Sequence, residues 1–165
     1  MLDALGLIEK HRGTGVLIDS NLLVLHLVGT VNRERLKTFK RTQAYTLEDF
    51  ELLEGLISCL GRLFTTPHVL TEVSNLTGSL SGRELAEMRI LIRFAVDEMQ
   101  ESFDESKTLV RHACFERLGL ADAAIATLCE RGMLVLTSDL DLYIALQTRG
   151  ADAVNFSHIR SLGWS

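Results

Sequence analysis

The sequence predicts an α/β fold with a parallel sheet covered by helices on both faces. Strand-like segments alternate with helical ones along the chain. The strand-like segments are unbroken apolar runs, as expected when both sheet faces are buried. Two of them have an aspartate just after them, which is where sites lie in such folds. A length of 165 residues, 47% hydrophobic, fits one domain with a real core.

Val16-Leu17-Ile18 reads as a short buried strand closed by Asp19. An apolar helix follows from Asn21 to about Val28, then a basic segment with Arg33, Arg35, Lys37, Lys40 and Arg41 against one acid, Glu34. Thr46 and Asp49 have capping-box spacing, and Phe50, Leu53, Leu56, Ile57 and Leu60 continue at helical periodicity. Phe64-Thr65 is a candidate strand. Thr66 then caps a helix with Pro67 in its first position, reaching about Leu76. Ser81 and Glu84 suggest a second capping box, opening a helix through about Met99. A weaker helix is expected over Glu105 to Arg117, and an alanine-rich one over Ala121 to Arg131, stopped by Gly132. Leu134 to Leu136 reads as a strand, Leu140 to Arg149 as a helix stopped by Gly150, and Ala153 to Phe156 as a last strand.

Composition removes several function classes. No apolar stretch reaches the roughly 18 residues needed to span a bilayer. Met1 to Leu5 has no basic region ahead of an apolar run, so a secretory signal is not expected and the cytoplasm is the expected location. Cys59, Cys114 and Cys129 are odd in number, lack C-x-x-C spacing and sit in apolar helical surroundings, which suggests buried thiols. The net charge of −5 counts against a module that holds nucleic acid by phosphate neutralisation alone. It does not count against a nuclease whose acids bind cations, because the ion reverses the local sign.

The distribution of charge is the informative feature. Residues 15 to 29 hold one charge, Asp19; residues 64 to 82 hold one, Glu72; residues 118 to 129 hold one, Asp122. These 46 residues carry three charges where the chain average of 24% would place about eleven, and all three are acids. Residues 132 to 142 add Asp139 and Asp141 and no base. A carboxylate in an apolar element must be paired, protonated or bound to a metal. Two of them about 5 Å apart repel by roughly 3 kcal/mol at an effective dielectric near 20. A convergent all-oxygen set suits Mg²⁺ or Mn²⁺. The bland alternative is that Asp19, Asp122 and Asp139 cap helices and Glu72 is a solvated helix residue. Ser20 and Asn21 are at hand to cap in place of Asp19.

Val16 to Asn21, Thr66 to Val73, Leu120 to Ile125 and Val135 to Leu142, with its Thr-Ser-Asp-x-Asp end, resemble in order and spacing the PIN domain, over nearly the whole chain. The resemblance implies a three-layer α/β/α fold and metal-dependent endoribonuclease activity leaving a 5′-phosphate and a 3′-hydroxyl. It implies that Asp19, Glu72, Asp122 and Asp139 hold one or two Mg²⁺ or Mn²⁺ ions. Asp141 would be an outer or second-metal ligand, Asn21 and Ser138 would orient ligands or water, and the Arg33 to Arg41 segment would either steer RNA by charge or form a solvated loop or helix face. Many such proteins are toxins held by an antitoxin protein, and many are homodimers. The chain departs from the family at Ala121, where Thr or Ser is common.

The first rival is a catalytically silent member that binds protein or RNA. A haloacid-dehalogenase-type phosphatase needs a second aspartate at position 21, which is Asn. Gly13-Thr14-Gly15 precedes its strand, the wrong side for a dinucleotide, and the histidines show no H-x-x-x-H spacing for zinc.

Overall fold

The structure is a computed structural model that describes residues 3–161. Helix α1 (Ala4–Lys10), capped by Asp3, leads into the first strand, β1 (Val16–Ile18). Strands β2 (Leu63–Thr65), β3 (Gln100–Glu101), β4 (Leu134–Thr137) and β5 (Ala153–Asn155) complete a five-stranded sheet in the order β3-β2-β1-β4-β5. Every pairing is parallel. Val16 lies against Leu63 on one side and Leu134 on the other. Helices flank the sheet on both faces, as the sequence predicts. No helix among the described residues is long and apolar enough to cross a membrane.

Val16 and Leu17 are fully buried and Ile18 nearly so, which explains their unbroken apolar run. Helix α2 (Ser20–Val31) is buried almost all round, from Leu22 to Val28. It packs against α3 (Leu47–Leu60), α4 (Pro67–Thr77) and α5 (Gly82–Glu98). The close approach of α3 is set by Gly29, where an added Cβ would lie 2.4 Å from the Phe50 ring. Gly→Ala inside a helix ordinarily gains about 1 kcal/mol. Here we expect Gly29→Ala to lose about 1–3 kcal/mol by overpacking, measured by denaturant unfolding.

Thr46 and Asp49 form the predicted capping box, and Thr66 caps α4 ahead of Pro67. The second box does not form: Ser81 makes no capping bond, and Glu84 instead lies 3.1 Å from Arg35. The single helix expected over Glu105 to Arg117 is two short turns, α6 (Ser106–Leu109) and α7 (Phe115–Leu118). Between them the Cys114 N–H donates to the His112 ring rather than to a helical carbonyl. Helices α8 (Leu120–Glu130) and α9 (Leu140–Thr148) fall where predicted. Phe156 opens α10 (Phe156–Ser161) rather than ending β5, because the Asn155 side chain accepts from the Ser157 N–H. Cys114 and Cys129 are buried and Cys59 half-buried. Burial, with Asp152 and Glu130 nearby, pushes the Cys129 thiol up to about 12.

The chain adds β2 and β3 on one side of β1, then returns to place β4 and β5 on the other. The strand order therefore reverses between β1 and β4. The crevice beyond their carboxyl ends is where such sheets bind ligands.

Candidate metal centre

Asp19 follows β1 directly, at that switch point, and is only 3% exposed. It is the N-cap of α2, a role the sequence reading gave to Ser20 or Asn21: its Oδ1 accepts from the Leu22 N–H at 2.7 Å. Its Oδ2 accepts from the Thr137 hydroxyl at 2.5 Å and from the Ser138 N–H at 2.7 Å, with the Ser138 hydroxyl at 3.3 Å. Burial pushes its carboxyl above the ordinary range, against these donors.

Asp139 opens α9, and its Oδ1 accepts from the Asp141 and Leu142 N–H groups. The Asp139 N–H donates in turn to Thr137 Oγ1, so one buried hydroxyl links the two strand-end acids. Thr137→Val keeps the shape but leaves the buried Asp19 oxygen short of a donor. We expect a loss of about 1–3 kcal/mol in chemical denaturation, with Thr137→Ser restoring most of it.

Glu72 lies one turn into α4, and its Oε2 accepts from the Ser20 hydroxyl at 2.6 Å. Asp122 stands in the first turn of α8, half-buried, with no hydrogen bond to its side chain. Glu72 and Asp122 line one cavity of about 430 Å³. Burial first, then the charges of Asp139, Asp19 and Glu72, push the Asp122 carboxyl up to about 7. Every charge acting on it is acidic, and the four acids come from four separate stretches of chain.

These acids act on one another without closing up. Among the described residues no three His, Cys, Asp or Glu side chains stand close enough together to hold a metal ion. The oxygens without hydrogen bonds are both of Asp122, Oδ2 of Asp139 and Oε1 of Glu72, while Oδ1 of Asp19 has one bond. An all-oxygen set of this kind fits a hard divalent ion.

The other predicted site residues lie elsewhere. Asp141 is exposed, and its Oδ1 is 3.8 Å from the Arg117 guanidinium, which also donates to the Asp141 carbonyl. Its side chain thus meets a cation, which suits a surface pair better than a metal ligand. Asn21 is exposed and takes part in none of the bonds that tie the acids together. Ser138 does, through both its N–H and its hydroxyl.

In the basic segment, Arg33 pairs with Glu51 and lies over the Phe50 ring, and Arg35 pairs with Glu84. Both follow the far end of the twelve-residue α2, roughly 18 Å along its axis from Asp19 and beyond a Debye length of about 8 Å. Lys37, Lys40 and Arg41 are exposed on the α2–α3 connection.

Sequence reasoning missed Ser20, Thr137 and Tyr45. Burial raises the Tyr45 hydroxyl, with Ser138 and Asp19 among the groups acting on it. Ser20 and Thr137 flank predicted acids, and a hydroxyl beside a buried carboxylate is the signal that could have found them. No family model matches this chain, and no curated protein matches it.

Proposed function

We propose that this chain is a divalent-metal-dependent endoribonuclease of PIN type. The observation that supports it most is the field at Asp122: a half-buried carboxyl on which three further acids act and no base does. A fold gains nothing from such an arrangement unless a cation offsets it. Asp122, Asp139 and Glu72 would hold the ion through their unbonded oxygens, and Asp19 through what Leu22 leaves of its Oδ1. When bound, such an ion activates a water and stabilises charge on the phosphodiester.

The chain's own residues do the positioning. Thr137 and Ser138 fix the orientation of Asp19, the α9 N-terminus fixes Asp139, and Ser20 fixes Glu72. Digestion of single-stranded RNA with Mn²⁺ by wild type, Asp19→Asn and Asp122→Asn tests the reading. Loss in both variants is expected, and equal cleavage by all three rejects it.

One observation favours the silent alternative: the Asp19 carboxylate already accepts four hydrogen bonds and caps α2. Calorimetric titration with Mn²⁺ separates the two readings. Binding that Asp122→Asn abolishes supports the nuclease, and no binding to wild type supports the module.

A further inference from the structure

The cavity that holds Glu72 and Asp122 extends well past them. It is a slot between α4 and the turn that joins α7 to α8. His68, Thr71, Glu72 and Asn75 repeat at helical spacing along its α4 wall, and Leu118 and Leu120 supply its opposite wall. Its volume of about 430 Å³ is in the range of small-ligand sites, about 300 to 1,000 Å³.

The chemistry of the walls narrows the ligand. Neither lysine nor arginine lines the slot, and two carboxylates do, so a phosphate alone is repelled. A neutral planar group is not. The half-buried leucines offer apolar contact to its face. Polar capacity lies opposite. Thr71 donates to the Pro67 carbonyl, which leaves its oxygen able to accept. Asn75 is exposed, with no hydrogen bond to its side-chain amide, which presents a donor beside an acceptor. His68 meets Ser106 through Nε2 at 3.2 Å, and its Nδ1 is buried with no partner. A donor beside an acceptor on one flat heteroaromatic edge is what a nucleobase carries.

We propose that this slot receives one unpaired nucleobase, read by Asn75 with Thr71 and packed against Leu118 and Leu120. That the base belongs to an RNA strand cut at the neighbouring acids rests on the nuclease reading; the slot's complementarity to a base does not. A base can enter only when it is unstacked and out of a duplex, so the slot biases which base lies next to the cut.

The test uses the whole chain without metal and the four nucleosides, which carry no phosphate. In amide NMR spectra, at least one nucleoside at millimolar concentration is expected to shift the Asn75 side-chain amide and the Leu120 backbone. Asn75→Ala should weaken that binding about tenfold, the value of one lost hydrogen-bonded pair. Inorganic phosphate should shift neither signal. The proposal is overturned if no nucleoside moves these signals, if Asn75→Ala binds as well as wild type, or if phosphate moves them in place of nucleosides. Nucleoside binding by a protein that cuts no RNA keeps the slot and removes the nuclease. Cleavage without nucleoside binding does the reverse.

Discussion

Asp122→Asn is expected to lower Mn²⁺-dependent RNA cleavage about a hundredfold or more, and to raise the melting temperature of the metal-free protein. The first effect follows from ligand loss: removing even an outer partner of a metal ligand costs about 10- to 100-fold, and a direct ligand at least that. The second follows from the field at the site. Asp122 is penalised by burial and then by three acidic neighbours, so its charge opposes folding whenever no cation is bound. Asparagine keeps the shape and removes the charge. At pH 8 the gain should be on the order of 1–2 kcal/mol, at about 2–4 °C per kcal/mol for a chain of this size.

Asp19→Asn gives the contrast. It should lose cleavage as well, yet be less stable than wild type, because an amide NH₂ would face donors from Thr137, Ser138 or Leu22. Opposite stability changes with a shared loss of activity would separate a ligand from a capping residue. A fall in the melting temperature of Asp122→Asn would remove the electrostatic argument for the site.

The parts of the fold legible in the sequence are those with local causes. Val16 to Ile18 announces itself because burial on both faces demands three consecutive apolar residues. The Thr46 and Thr66 caps are made within four residues of where they start. Strand β3 was not legible, since Gln100 and Glu101 are exposed and form a strand only because β2 lies beside them. The Ser81 box misled because a local pattern lost to a distant partner, Arg35, for Glu84.

The same division runs through the site. The acids were visible as lone charges in apolar windows. The bonds that orient them cross the chain: Ser20 to Glu72, and Thr137 to Asp19. The slot residues follow this pattern, because Asn75 and Leu120 line one cavity only through the packing of α4 against α8.

Mn²⁺ is expected to stabilise the wild type far more at pH 8 than at pH 5. The sign follows from Asp122. Its carboxyl titrates near the ordinary 3.8 in the unfolded chain and at about 7 in the folded one, so between those values the folded state binds more protons. Metal-free stability from this group therefore falls as pH rises from about 4 to about 7, by roughly 4 kcal/mol as an upper bound that local rearrangement reduces. Asp152 works the opposite way. Lys10 and His11 hold its carboxyl below the usual range, so its stabilisation is lost on acidification. Comparing wild type with Asp122→Asn across pH isolates the Asp122 contribution from this background.

Below about pH 7 an incoming ion must also displace the Asp122 proton, so affinity weakens toward tenfold for each further pH unit. At an ion concentration one hundred times the dissociation constant, the linkage amounts to about 2.7 kcal/mol. Thermal melts with and without Mn²⁺ should show that shift at pH 8 and little of it at pH 5. Asp122→Asn should show little at either pH. Equal shifts at both pH values in the wild type would mean that Mn²⁺ binds somewhere other than these four acids.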